Sequence, residues 1–232
     1  MCGRYTARFT DAAHLPAKLT GVIPAFAPRY NIAPQQKAPV IRQADGNLVF
    51  EELRWGFRSA WMKDKNKAQI NARSETLIEK PMFKHSALNC RCLVLTNGWY
   101  EWQQTTTGKQ PFAFRLKDDI LFAFAGIWTS WYGEETAQED NYAIITTAAS
   151  PLIAPVHNRM PVILDQDGCE IWLDTNGNNV KRMTALLQPY QGSDLEFYPV
   201  STRVNNPKNT DEGCLKPLGN DMPDRSDPDL SQ

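Results

Sequence analysis

Apolar residues in this chain recur mostly with a period of two. In Ile120–Ile127 the bulky Ile120, Phe122 and Phe124 alternate with the small Ala123 and Ala125, which predicts a strand with two unequal faces. Runs at Asn47–Leu53, Cys92–Leu95, Phe112–Leu116, Tyr142–Thr146, Pro161–Leu164 and Glu196–Val200 also read as strands. Lys117-Asp118-Asp119, between two such runs, reads as a hairpin turn. Helical spacing is confined to Asp11–Leu19, interrupted by Pro16, and to Cys169–Leu173 and Val180–Leu187. Many short strands with few helices predict an α+β fold, a single domain on a mostly antiparallel, barrel-like β-sheet with a few flanking helices. The domain is expected over residues 1–215. The Gly-, Pro- and Asp-rich stretch 216–232 is expected as a flexible acidic tail.

Composition agrees with one substantial core: seven Trp, seven Tyr and ten Phe in 232 residues. There is no run of about 18 apolar residues and no apolar segment at the start. The expectation is therefore a soluble cytoplasmic protein with no membrane partner, nucleoid-associated in a bacterium. Five cysteines, an odd number without the framework of a small scaffold, suit reduced thiols. The net charge of −1 hides an asymmetry. Residues 211–232 hold six acids against Lys216 and Arg225, which leaves residues 1–210 at +3. A mildly basic body is compatible with a local nucleic-acid patch without requiring one.

The most reactive element stands at the beginning, Met1-Cys2-Gly3-Arg4. Removal of Met1 leaves Cys2 with an α-amine beside its thiol, a 1,2-aminothiol. The amine attacks an aldehyde to form an imine, and the thiol closes onto the imine carbon as a five-membered thiazolidine. An α-amine has a pKa of about 7.7–8.0 and a lysine about 10.4, so the free base is roughly a few hundred times more abundant at the terminus. Glu101, between Tyr100 and Trp102, is placed for desolvation to raise its pKa toward neutrality, although an exposed Glu on an alternating strand has the same pattern. His157, one of three histidines, precedes Asn158-Arg159-Met160-Pro161 on a turn.

Seven segments then occur in order: Met1-Cys2-Gly3-Arg4, Tyr30-Asn31-Ile32-Ala33-Pro34, Trp55-Gly56, Ile70-Asn71-Ala72-Arg73-Ser74-Glu75-Thr76, Gly98-Trp99-Tyr100-Glu101-Trp102, His157-Asn158-Arg159-Met160-Pro161 and Val200-Ser201-Thr202-Arg203-Val204-Asn205. Together they resemble the SRAP family (SOS-response-associated peptidase), the abasic-site-processing proteins, from Cys2 to about Leu215. The resemblance implies covalent capture of abasic sites in single-stranded DNA, with Cys2 bonded to the C1′ aldehyde as a thiazolidine. It implies a catalytic set of Cys2, Asn71, Glu101 and His157. In that set Glu101 transfers protons, His157 assists opening of the sugar ring, and Asn71 orients the amine or a sugar hydroxyl. Arg4, Arg73 and Arg159 are placed on flanking phosphates, which a guanidinium fork binds through two parallel hydrogen bonds. Trp61 and Met62 fall where the family carries an apolar wedge against a stacked base, with Met in place of a second aromatic. Arg54, Arg58 and Lys84 are expected as solvated charges. No cofactor, no metal and no obligate protein partner are expected. The peptidase activity of the family name is expected to concern removal of Met1 rather than general proteolysis.

Three other readings fit parts of the chain. An N-terminal-nucleophile amidohydrolase also begins Met-Cys-Gly and would use Asn97-Gly98 as an oxyanion hole. A purely non-covalent single-stranded-DNA module would rest on Arg73, Arg159 and exposed aromatics. A zinc site could draw on His85, Cys90, Cys92, Cys169 and Cys214. However, Cys-x-Cys is an unusual zinc spacing, and alternate strand residues face opposite ways.

Overall fold

The computed structural model describes residues 2–59, 61–62, 68–132, 138–175 and 180–219. The first sheet contains β1 (Arg4–Ala7), β2 (Arg29–Ile32), β7 (Gly98–Thr105), β8 (Gly108–Leu116) and β13 (Leu195–Pro199), in the order β13-β8-β7-β1-β2 and antiparallel throughout. The second contains β3 (Lys37–Ala44), β4 (Asn47–Trp55), β5 (Asn71–Arg73), β6 (Arg91–Thr96), β9 (Phe122–Trp131), β10 (Glu139–Ala148), β11 (Arg159–Pro161) and β12 (Ile163–Leu164). Because β10 pairs with both β4 and β9, the strands β10-β4-β3-β6-β9 return on themselves as a ring. Only the pairings of β10 with β4 and β5 are parallel, so the expected α+β, mostly antiparallel single domain is what the structure shows.

Period-two alternation explains how the second sheet serves two cores. All of β6 is buried. Its Cys92 and Val94 join Trp99 and Phe114 of the first sheet, while Leu93 and Leu95 join Phe83 and Trp172 on the helical side. On β9, Phe122 and Phe124 face the first sheet, and Ala123, Ala125 and Ile127 face the helices. The small face leaves room for α3 (Gln166–Leu173), whose Trp172 Nε1–H donates to Cys92 O and Gly126 O, both at 3.1 Å. Phe124 joins the two sheets, with its ring centroid 5.7 Å from Trp99 and 6.4 Å from Tyr5. Phe124→Ala is expected to cost about 3–5 kcal/mol, read as a lowered urea midpoint at unchanged m-value.

Several expectations are corrected. The helix over Asp11–Leu19 shortens to α1 (Ala17–Thr20), because Pro16, extended at φ −57°, ψ 142°, stands just before the first turn. An unforeseen α2 (Pro81–Asn89) buries only Phe83, Ser86 and Ala87, a stripe too short to register as periodicity. The helix over Val180–Leu187 becomes α4 (Val180–Ala185). Lys117-Asp118-Asp119 is a crossing between sheets, not a hairpin: β8 lies in the first sheet and β9 in the second. Asp118 and Asp119 take φ of 61° and 53° there, and the Arg8 guanidinium grips both oxygens of Asp119 at 2.5 Å. Arg58, expected in solvent, is 8% exposed, 5.2 Å over Trp131, and donates to Gln35 Oε1 at 2.7 Å. Of the expected tail, Pro217 bridges Val200 and Leu218 N–H donates to Pro199 O at 2.9 Å, while residues 220–232 lie outside the described residues. No helix among the described residues is long and apolar enough to cross a membrane.

Candidate active site

The first sheet brings the N-terminus to Glu101. Strand β1 pairs with β7 as Arg4↔Tyr100, Tyr5↔Trp99 and Thr6↔Gly98. The ladder ends at Arg4, and the chain before it carries its terminal amine to the Glu101 carboxyl. On its other side β7 packs closely on β8 at Gly98, where a Cβ would collide with Phe114 O. Cys2 is fully buried; its Sγ is 3.8 Å from Arg4 O, and its carbonyl accepts Asn71 Nδ2–H at 2.8 Å. Burial, and then the Glu101 charge, push the thiol well above its ordinary range, against the opposing pull of the chain's terminal ammonium.

Glu101 is 1% exposed, and burial pushes its carboxyl up to about 7, again against the terminal ammonium. Its neighbours on β7 are pinned: Tyr100 Oη–H donates to Tyr30 O at 2.7 Å, and Trp102 Nε1–H donates to Asn205 Oδ1 at 2.7 Å. His157 Nε2 lies 3.9 Å from Glu101 Oε2. Its Nδ1 packs on the Arg159 backbone, 3.0 Å from the amide N and 3.2 Å from the carbonyl O, which leaves Nε2 as the nitrogen facing Glu101. Burial holds His157 below the usual imidazole range, so the ring is neutral at pH 7. Glu101 and His157 meet solvent through a cavity of ≈ 410 Å³ that Trp102, Lys109 and Asn205 complete.

Four of the residues expected at the site thus converge: Cys2, Asn71, Glu101 and His157. Arg4 lies beside them, donating to Gly3 O at 3.0 Å and Asn205 O at 3.4 Å. Arg73 is exposed on β5, two residues beyond Asn71. Arg159 is engaged by Glu75 and by Thr146 O. Trp61 is 66% exposed, whereas Met62 turns inward at 8%, its carbonyl accepting Trp131 Nε1–H at 2.9 Å.

Sequence reasoning missed Lys109, the second residue of β8, which pairs with Gln104 and has no pattern to mark it. Glu75, Asn31 and Asn205 were inside the quoted segments but carried no role. Asn31 Nδ2 lies 3.1, 3.1 and 2.9 Å from the carbonyls of Val204, Asn206 and Asn209, and so fixes the segment that bears Asn205. Asn97, offered as an oxyanion donor, serves the other end of β1: it accepts Arg8 N–H at 2.6 Å and donates to Thr10 Oγ1 at 2.7 Å. Among the described residues no three of His, Cys, Asp and Glu form a metal-sized group.

Comparison with known proteins adds to this geometry. The family model described as SOS response associated peptidase (SRAP) matches residues 1–207. The abasic site processing protein YoqW of Bacillus subtilis is 37% identical over 216 residues, covering 90% of this chain and 96% of its own. The abasic site processing protein HMCES of Gallus gallus is 33% identical over 83% of this chain and 67% of its own. A Bacteroides thetaiotaomicron crystal structure superposes with a TM-score of 0.76 at 23% identity, over 92% of this chain and 99% of that one, a likeness of fold.

Proposed function

The chain belongs to the SOS response associated peptidase family, and from that premise we propose that it processes abasic sites in single-stranded DNA, capturing the lesion covalently on Cys2 once Met1 is removed. The observation that carries this reading is the convergence at the chain's start of Cys2, a carboxyl poised near pH 7 and a histidine whose Nε2 faces that carboxyl. The naming of YoqW and HMCES as abasic site processing proteins supports it.

The sugar's ring-opened form offers an aldehyde at C1′. The Cys2 amine adds to C1′, and loss of water gives the imine. Sγ then bonds to C1′ while its proton passes to nitrogen, closing the thiazolidine with one water released overall. A thiol kept protonated by burial suits this order, because the amine acts first. Glu101, near half-ionised at neutrality, gives a proton to the departing water and takes one from the thiol. Neutral His157 donates a hydrogen bond from Nε2 to the sugar oxygen during ring opening. Asn71 holds the Cys2 carbonyl, fixing amine and thiol over one carbon, a proximity effect. Arg4, Arg73 and Arg159 take the flanking phosphates and Trp61 stacks on a neighbouring base.

The test is incubation with single-stranded DNA carrying one abasic site, denaturation, digestion and mass spectrometry. The expected product is a sugar remnant on an N-terminal Cys2 without Met1. An adduct on a lysine, or efficient capture by protein still bearing Met1, overturns the aminothiol scheme. Binding without any adduct leaves the non-covalent module, and ammonia released from glutamine points to the amidohydrolase.

A further inference from the structure

Arg159 does not present an open fork. Its Nη1 donates to Glu75 Oε1 at 2.5 Å and its Nη2 to Glu75 Oε2 at 2.9 Å. This parallel two-point arrangement is the one a guanidinium also makes with phosphate, so carboxylate and phosphate compete for the same donors. The partners are unequally held. The Arg159 side chain is 14% exposed and stays anchored through Nη2 to Thr146 O at 2.6 Å. The Glu75 side chain is 50% exposed, on the short 3₁₀ turn Ser74–Thr76 that follows β5. The cation is built in; the anion stands half in water, held otherwise only by local contacts on its own turn. An ion pair with one partner half in water is weak enough for exchange.

The position of the pair gives the exchange its meaning. Glu75 lies four residues beyond Asn71, and the Arg159 backbone N–H is the group bonded to His157 Nδ1. A phosphate that reached this fork would lie against the site's edge.

We propose that Glu75 sets this protein's affinity for nucleic-acid phosphate by occupying the Arg159 fork, so that a strand engages Arg159 only by displacing the carboxylate. The inference rests on the reading above that single-stranded DNA is the substrate. Its consequence is a low standing affinity for intact strands, with discrimination left to the covalent step. The low pKa of the Glu75 carboxyl, held down mainly by its hydrogen bonds to Arg159, keeps the competitor ionised at neutral pH.

Fluorescence anisotropy with a labelled, undamaged single strand between about 50 and 200 mM salt tests it. Glu75→Gln is expected to bind roughly 3- to 10-fold more tightly at the low-salt end, the scale of one freed surface cation. Its slope of log K against log salt should steepen by about 0.7, one additional phosphate neutralised. In the Arg159→Gln background the same change should do nothing. Glu75→Asp, too short to span both nitrogens, should give a smaller gain, and it stands in if the Gln variant folds poorly. Unchanged affinity and slope in a folded Glu75→Gln protein that still captures abasic DNA overturns the role of Glu75 alone. No single-strand binding by wild type and variant alike overturns the substrate reading, and this inference with it.

Discussion

Cys2→Ala is expected to abolish the heat-stable adduct with abasic single-stranded DNA, a loss of at least about 10³-fold in capture rate. The magnitude follows from geometry: a thiol two carbons from its own amine has an effective molarity on the order of 10⁵–10⁸ M toward the imine carbon, which no thiol in solution matches. Without sulfur the imine forms and hydrolyses. Cys2→Ser separates thiol from bulk, since its hydroxyl keeps nearly the same shape with a far poorer nucleophile. Denaturing gels of both variants, with thermal unfolding to confirm the fold, make the measurement. A persistent adduct of undiminished yield in either would remove Cys2 from the mechanism.

Glu101→Gln carries the second large effect, and it acts in two directions. Capture should slow by about 10²–10⁴-fold, the usual contribution of a positioned general acid–base. In the wild type the rate depends on acidic Glu101 and on free amine, so it should be bell-shaped around neutrality. The variant should lose the limb that reports a pKa of about 7. Stability should move the other way. The folded-state pKa of Glu101 lies above the unfolded value of about 4.3, so the carboxyl's contribution is fully present below the unfolded pKa and is lost as pH rises through 7. At about 1.4 kcal/mol per unit, wild type should lose roughly 3 kcal/mol between pH 4 and pH 8 that the Gln variant keeps. Urea denaturation at both ends of that range reads it directly. A pH-independent difference between the two proteins would mean that Glu101 ionises freely in the fold.

Such a cost explains why the residue type alone was a poor guide. The pattern Trp99-Tyr100-Glu101-Trp102 is equally that of a surface strand with Glu on its wet face. Only the pairing of β7 between β1 and β8, 1% exposure and the nearby N-terminus separate the two cases. Arg58 and Met62 teach the same lesson from the other side. Each is buried because a partner far along the chain covers it: the Arg58 guanidinium lies over the Trp131 ring, and the Met62 carbonyl meets the Trp131 indole. The Lys117–Asp119 turn is a similar case. Its residue types fit a tight turn, but whether the next strand pairs with the last depends on which sheet needs it. The apolar run Cys92–Leu95 and the alternation in Ile120–Ile127 were legible because two-sided burial writes itself into consecutive residues.

The chain by itself determined what is covalent or local: a thiol one residue behind Met1, strands whose side chains alternate between cores, and ordered segments that resemble one family. Tertiary structure decided what depends on distance between remote segments. It set the carboxyl pKa of Glu101, turned Nε2 of His157 toward that carboxyl, and put Glu75 across the Arg159 fork. The physical reason is that ionisation and ion pairing respond to burial and to charges within a few ångströms, and those neighbours are 56 residues away for Glu101 and His157, and 84 for Glu75 and Arg159.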